Sequence, residues 1–438
     1  MLERSEDVRE NGYATPSGAE RDEERVEPLR RRTVTRGECR VHSAEESPAP
    51  LVVARRRDPV LYVPGFFRFY ILSAAIRRRL RNLDFEIYTL RLPNFGAGDI
   101  RRGARILLDK MEELRILLGA KKVSIIGQGV GGLVARFAVE RMGGADHLKK
   151  LIMLGTPNGG SYTFYLFLPF KAARQALPGS AFLGELNARE GGGPRADDLP
   201  YVSICTPWDL AVVPWTNCCL PGAENLRLGW LCTHMGMVRS RSVVGLLVGL
   251  LGEEEGTAND TLKAEEDRAL LQELNRVLAE DPGDDGALLR RARLFMDWGY
   301  YRAAIKDLDR LVKVRQDLPE AYMLRGKALR RKIQYDDNPI YNRAIRDFNQ
   351  VIRMNPGSAE AYYERGVCYA LLNAWGEAVD DWDRALILNP DYYPAYLSRG
   401  LGRKKRGNIA GALDDFREVL RINPDEPDAL RLLSGLGG

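Results

Sequence analysis

The chain has 438 residues, 45% of them apolar and 29% charged, with 65 basic and 60 acidic side chains giving a net charge of +5. With 43 glycines and 23 prolines, this composition excludes a wholly disordered, collagen-like or coiled-coil chain. So small a charge imbalance does not point to nucleic acid as a partner, and the length allows two to four domains.

Residues 1–55 are dense in Arg and Glu with almost no apolar periodicity, which predicts a disordered charged tail. Its longest apolar run is Leu51–Ala54, too short for a signal peptide. The longest apolar stretch of the chain, Val243–Leu251, is far below the roughly 18 residues of a bilayer span. A cytoplasmic protein without a transmembrane segment is therefore expected. The cysteines at 39, 205, 218, 219, 232 and 368 show no CxxC spacing, so reduced thiols are expected, with no disulfide frame and no metal.

From 56 to 252 short apolar runs alternate with helical stretches. Pro59–Val63, Phe85–Leu90, Lys122–Ile126, Lys150–Leu154 and Tyr201–Cys205 read as buried strands, and Ala104–Leu118 and Gly131–Arg141 as helices between them. That alternation predicts an α/β domain with a mostly parallel sheet and helices on both faces. The basic run Arg77-Arg78-Arg79-Leu80-Arg81, with Arg101, Arg102 and Arg105, reads as a solvated helix face.

A polar linker is expected at 253–265, and a repeat domain at 266–438. Aligning Pro390 with Pro424 gives a period of 34, on which Tyr362 pairs with Tyr396, Gly366 with Gly400, Ala378 with Ala412 and Trp382 with Phe416. Tyr322, Gly326, Ala344, Phe348 and Pro356 fit the same template with about six extra residues near Tyr335–Ile340. Leu288, Ala292, Phe295, Ala304 and Leu308 fit a fourth copy, in which Gln316 replaces the proline, and Leu270–Pro282 is a half-copy. Small residues at a close helix approach, faced by large ones, resemble the tetratricopeptide (TPR) repeat, which implies an all-α solenoid that binds a protein or peptide. Lys327, Arg330, Lys404 and Lys405, beside Tyr363 and Leu397, are the groove residues expected to favour an acidic or mixed peptide.

The most informative segment of the α/β domain is a strand, a glycine-rich turn and a helix, Val123–Arg136. Gly127 and Gly131 occupy the flanks of a G-x-S-x-G nucleophile elbow, Gln128 precedes its centre, and Gly129 stands where the serine belongs. The same string matches a dinucleotide G-x-G-x-x-G, but it lies deep in the domain, and Asp146 is not placed at a strand end, so no cofactor is expected.

The segment resembles the elbow of α/β-hydrolase lipases and esterases. The resemblance implies that Phe66, after Val63-Pro64-Gly65, and Val130 supply the oxyanion-hole amides. It makes Asp209, in Asp209-Leu-Ala-Val-Val-Pro214, the acid, and Leu154-Gly-Thr-Pro-Asn158 a family segment with Asn for His. Of the three histidines, His42, His147 and His234, only His234 follows Asp209 in the chain order of this fold. Ser124 and Ser161 match no elbow. The aromatic stretch Ser161–Phe170 falls where a cap would lie, and an acyl or lipid ligand for the pocket goes with that reading. The expectation is a catalytically impaired lipase/esterase-like hydrolase acting as a ligand-binding or scaffolding module with TPR repeats. The alternative is an active lipase or carboxylesterase targeted by its repeats.

Overall fold

Among the described residues, seven parallel strands lie in the order β1-β7-β6-β5-β4-β2-β3: β1 (Arg40–Val41), β2 (Val60–Val63), β3 (Ile87–Thr89), β4 (Val123–Gln128), β5 (Leu148–Leu154), β6 (Tyr201–Cys205) and β7 (Glu224–Arg227). This computed structural model describes residues 40–41, 58–66, 74–83, 85–188, 198–229, 232–252, 258–332 and 338–437, all within one compact unit, Arg36–Gly438. Of the tail placed at 1–55 only β1 is described; His42, Cys39 and Phe67 lie outside the described residues.

The strands form where the apolar runs predict them, with three differences. β4 extends through Gly127 and Gln128, the run Phe85–Leu90 pairs only over Ile87–Thr89, and β7 arises from the polar Glu-Asn-Leu-Arg, of which only Leu226 is buried. A strand with one buried side chain leaves no apolar signature.

Successive side chains alternate between faces. Leu61, Val63, Ile125, Leu151 and Met153 pack with helices α2 (Ile100–Leu118) and α3 (Val130–Arg141). Val60, Tyr62, Ile126, Ile152 and Ile204 face the other way, onto α1 (Ala74–Asn82) and the apolar α7 (Arg241–Gly252). Each fully buried aliphatic of this kind is worth about 1.5–3 kcal/mol. Three short helices complete the domain: α4 (Lys171–Gln175), α5 (Ala181–Asn187) and α6 (His234–Met237). α2 starts at Ile100 because the Asp99 carboxylate accepts the Arg101 N–H.

The basic run is not a solvated face throughout. Arg77 and Arg81 are buried, Arg77 donating to Thr89 Oγ1 (2.7 Å) and lying over the Tyr62 ring, and Arg81 donating to the Ile87 carbonyl (3.2 Å). Their alkyl stems cover the sheet while the guanidinium heads find acceptors at its edge. The topology has one reversal. From β2 the chain crosses to β3 on one side, then returns to β4 on the other, so a crevice opens at the carboxyl ends of β2 and β4.

Among the described residues ten helices follow: α8 (Ala258–Glu280), α9 (Asp285–Asp297), α10 (Tyr301–Val314), α11 (Pro319–Arg331), α12 (Asn338–Met354), α13 (Ala359–Leu371), α14 (Trp375–Leu388), α15 (Tyr393–Lys405), α16 (Ile409–Ile422) and α17 (Pro427–Leu436). α8, rich in helix formers, already covers the second part of the linker placed at 253–265; residues 253–257 lie outside the described ones.

The second helices α12, α14 and α16 end at Met354, Leu388 and Ile422, in step with the 34-residue period. A Cβ on Gly326, Gly366 or Gly400 would stand 2.6, 2.7 or 2.5 Å from Phe348, Trp382 or Phe416, so each aromatic ring rests on a bare backbone.

A ladder not anticipated from sequence binds the pairs together. Arg291, Arg365 and Arg399 each bridge to the aspartate sixteen residues on, Asp307, Asp381 and Asp415, and to the residue sixteen back, Asn275, Asn349 and Asp383. Arg325 does the same with Asp347, displaced by the six extra residues, and Asp309. Each guanidinium also lies over an aromatic ring of its own helix.

The glycine contact can be checked directly. Gly366→Ala forces its methyl against the Trp382 indole and is expected to cost about 1–3 kcal/mol of overpacking. Gly376→Ala, at a helical position with open space, is expected to be neutral or stabilising by up to about 1 kcal/mol. Urea unfolding of the two variants tests the contrast.

Candidate functional site

The crevice at the sheet reversal holds a cavity of about 530 Å³ lined by Phe66, Gly129, Val130, Phe164, Trp208 and His234, among others. Its floor is the β4–α3 turn. Gly129 has φ 52° and ψ −124°, a left-handed-side backbone that an L-residue enters only under strain. A Cβ built on it would point to His234 Nε2 at 3.6 Å. The flanking glycines are demanded by space: a Cβ at Gly127 would lie 2.6 Å from the Gly132 backbone, and one at Gly131 2.2 Å from the Val63 carbonyl.

His234 opens α6 and is buried, 6% exposed, and its Nδ1 lies 2.7 Å from Asp209 Oδ2. Asp209 also braces its own loop, Oδ1 accepting the Ala211 and Val212 N–H groups at 2.9 and 3.1 Å. The two loops are joined by a parallel bridge between Trp208 and Thr233 and by the Thr206 hydroxyl donating to the Cys232 carbonyl. The pair presses on the end of β5, where a Cβ at Gly155 would be 2.7 Å from His234 Nδ1 and 2.8 Å from Asp209 Oδ2. With Nδ1 engaged by Asp209, Nε2 is the ring nitrogen that lies toward the position above Gly129.

Phe66 lines the cavity, and a Cβ at Gly65 would meet the Gln128 carbonyl at 2.8 Å, so the loop after β2 lies against the β4–α3 turn. Val130 is the first residue of α3, so its own N–H has no acceptor within the helix. Gln128 is buried away from the cavity, its Oε1 accepting from the Tyr62 hydroxyl at 2.6 Å.

Other candidate nucleophiles are engaged elsewhere. Ser161 caps the turn Tyr162–Phe167, donates to the Ala211 carbonyl and accepts from Val213 N–H. Ser124 is buried within β4. Burial, and then the Asp209 carboxylate, push the Cys232 thiol up, which keeps it protonated at neutral pH. Asn158 is structural: its amide donates to the Cys218 carbonyl (2.6 Å) and accepts from Arg136 (3.2 Å). The aromatic stretch forms one wall. Phe164 and Phe167 pack edge-on against Phe66, whereas Tyr162, Tyr165 and Leu166 stand exposed outside. No group of three or more metal-ligating side chains occurs among the described residues.

The groove residues expected to await a peptide are already engaged within the chain. Lys404 and Lys405 pair with Glu112 (2.9 Å) and Glu113 (3.5 Å) of α2, Arg330 with Glu364 (2.8 Å), and Lys327 with Glu360 (2.5 Å). Leu397 joins Ile116 and Leu117 in one apolar cluster with Trp382 and Phe416, and Tyr363 lies edge-on to Tyr392. Arg115 clamps Asp428 with two hydrogen bonds (2.8 and 3.3 Å), and Arg331 reaches Glu86 (3.1 Å) and the Leu118 carbonyl (2.8 Å). The acidic surface that Lys404 and Lys405 fit is the protein's own α2, which the sequence could not show because Lys404 lies 292 residues from Glu112.

Residues 341–393 match the tetratricopeptide repeat family. The C-terminal part is a TPR array. Similar solved structures are MamA (23% identity, covering 40% of this chain and 98% of MamA, TM-score 0.34) and a thermophilic TPR protein of Thermus thermophilus (22%, 40% and 93%, 0.33). A third is YrrB, described as a TPR protein with an unusual peptide-binding site (18%, 40% and 87%, 0.34). No curated protein matches the sequence. No helix among the described residues is long and apolar enough to cross a membrane.

Two outcomes follow for the seam between sheet and array. Asp428→Ala strands the buried Arg115 guanidinium and is expected to lower stability by about 3 kcal/mol, read as a lower urea midpoint. At the same seam half-buried His147 is held down to about 4 from 6.5, by burial first and then by Arg115 and Arg431. The unfolded chain thus takes up this proton near pH 6.5 and the folded one only near 4. Stability is full above 6.5 and falls as the pH drops toward 4. His147→Gln is expected to flatten that part of the melting-temperature profile, modestly, because the ring is half exposed.

Proposed function

We propose that the sheet domain is a lipase/esterase-like α/β-hydrolase fold disarmed at its nucleophile, serving as a ligand-binding or scaffolding module, while the TPR array engages a protein partner. The observation that carries this reading is Gly129. Its backbone holds the strained angles of an elbow, its absent Cβ is aimed at His234 Nε2, and His234 is bound to Asp209. Everything that would activate a serine is in place around a residue with no side chain. The sheet reversal at β2 and β4 and the apposed loop carrying Phe66 support the same fold. An apolar cavity with a single polar end suits an acyl or similar ligand.

The repeats support the partner role, since stacked helix pairs expose long surfaces for protein segments. A partner of this array binds residues other than the four cations already paired within the chain, or displaces α2 from Lys404 and Lys405.

The retained dyad and cavity also favour a second reading, an enzyme whose His234 activates water in the space over Gly129. The two readings differ in the esterase activity of the chain as it stands. With p-nitrophenyl acetate and butyrate, the native protein is expected to match the buffer blank. Gly129→Ser is expected to raise hydrolysis at least tenfold, and Gly129→Ser with His234→Ala to return it to the blank. Turnover by the native chain that His234→Ala abolishes establishes the enzyme instead.

A further inference from the structure

We infer that Cys205 and Cys219 form a site of reversible oxidation, a thiol pair that a peroxide converts to a disulfide closing the loop that carries Asp209.

The pair is made by the way the chain leaves the sheet and returns to it. Cys205 is the last residue of β6, and its side chain is buried. The chain then runs out through Trp208, Asp209 and Val212 and comes back at Cys219, just after the short turn Trp215–Cys218. The returning limb is anchored. The Cys218 carbonyl accepts from Ser203 Oγ of β6 at 2.7 Å and from Asn158 Nδ2 at 2.6 Å, and the Asn217 carbonyl accepts the Gly159 N–H at 2.9 Å. These bonds lay Cys219 beside the end of β6, so its Sγ stands 3.9 Å from Cys205 Sγ across fourteen positions of sequence. Both are reduced thiols, in one small cluster with Val212, Trp215 and Cys218.

Two properties suit the pair to oxidation. A disulfide brings its sulfurs to about 2 Å, so closure asks for roughly 2 Å of movement, which the loop side of the pair can supply. The exposure of the two sulfurs is also unequal: Cys219 is partly exposed, and Cys205 lies behind it at 0%. An oxidant arriving from solvent meets Cys219 first, with a second thiol already placed to resolve the product. Burial pushes the thiols of Cys232 and Cys368 up instead, which keeps them protonated and slow to react.

Hydrogen peroxide serves as the two-electron oxidant. The Cys219 sulfur attacks one peroxide oxygen, the O–O bond breaks, and the departing hydroxide leaves as water with the thiol proton, giving a sulfenic acid. Cys205 Sγ then attacks that sulfur, the S–O bond breaks, and the hydroxyl leaves as a second water with the Cys205 proton. Two thiols and one peroxide thus give one disulfide and two waters. A small thiol reverses the change by exchange.

The new bond ties both ends of the segment 206–218 together. Asp209, in that segment, holds His234 Nδ1 at 2.7 Å, and Trp208, Leu210 and Val212 line the cavity. Oxidation therefore restrains one wall of the cavity by removing open states of its loop.

The test treats the reduced full chain with a small excess of hydrogen peroxide, alkylates the remaining thiols after denaturation, and maps the peptides by mass spectrometry without reduction. A Cys205–Cys219 linked pair is expected, and dithiothreitol is expected to restore both thiols. Cys219→Ser and Cys205→Ala are each expected to abolish the link, whereas Cys218→Ser and Cys232→Ser keep it. Amides of 206–218 are expected to exchange hydrogen more slowly in the linked chain, by about twofold or more. Cys219 over-oxidised to sulfinic acid while Cys205 is still alkylated overturns the pair. So does a link that maps to Cys218 or Cys232, or the absence of reaction at both sulfurs. Equal exchange in linked and reduced chains overturns the closure of the loop.

Discussion

Parallel pairing is the constraint from which the rest of this molecule follows. Strands that all run one way need a crossover for every step, and the crossovers here change direction once, between β2 and β4. At that point two loops diverge from neighbouring strand ends, and the crevice between them needs no further construction. The turn after β4 enters it with a glycine at φ 52°, the loop after β2 lies against that turn, and the loops after β6 and β7 bring Asp209 and His234 over the end of β5.

Gly129 leaves open the one atom position that a Cβ would fill, 3.6 Å from His234 Nε2. A serine would add an oxygen near Nε2, at the cost of strained backbone angles that glycine adopts freely. Gly127, Gly131 and Gly155 still make room for contacts below 3 Å, and the Asp209–His234 bond is 2.7 Å.

The TPR array is tied to the sheet domain as well as to itself. Along its axis the arginine ladder links each helix pair to the one before it, with buried aspartates facing every guanidinium. Across the seam, Ile116 and Leu117 of α2 enter the core of the repeats, and Arg115–Asp428 and Arg331–Glu86 close its edges. Charged pairs buried in this way give little net stability but penalise any other docking, since each misplaced partner leaves a buried charge exposed to no counter-ion.

What the sequence alone determined is the set of features built from local, repeated contacts. The 34-residue register was legible because Gly366 with Trp382 and Gly400 with Phe416 make the same close approach in each copy. The strands from β2 to β6 were legible because burial on both faces demands continuous apolar runs. The arginine ladder was equally periodic, at a spacing of sixteen, and could have been read from the same alignment. Only the tertiary structure decided the direction of Arg77 and Arg81, the polar strand β7 and the pairing of Lys404 and Lys405 with α2. These depend on where two distant surfaces come to rest against each other, and no local preference of either segment carries that information.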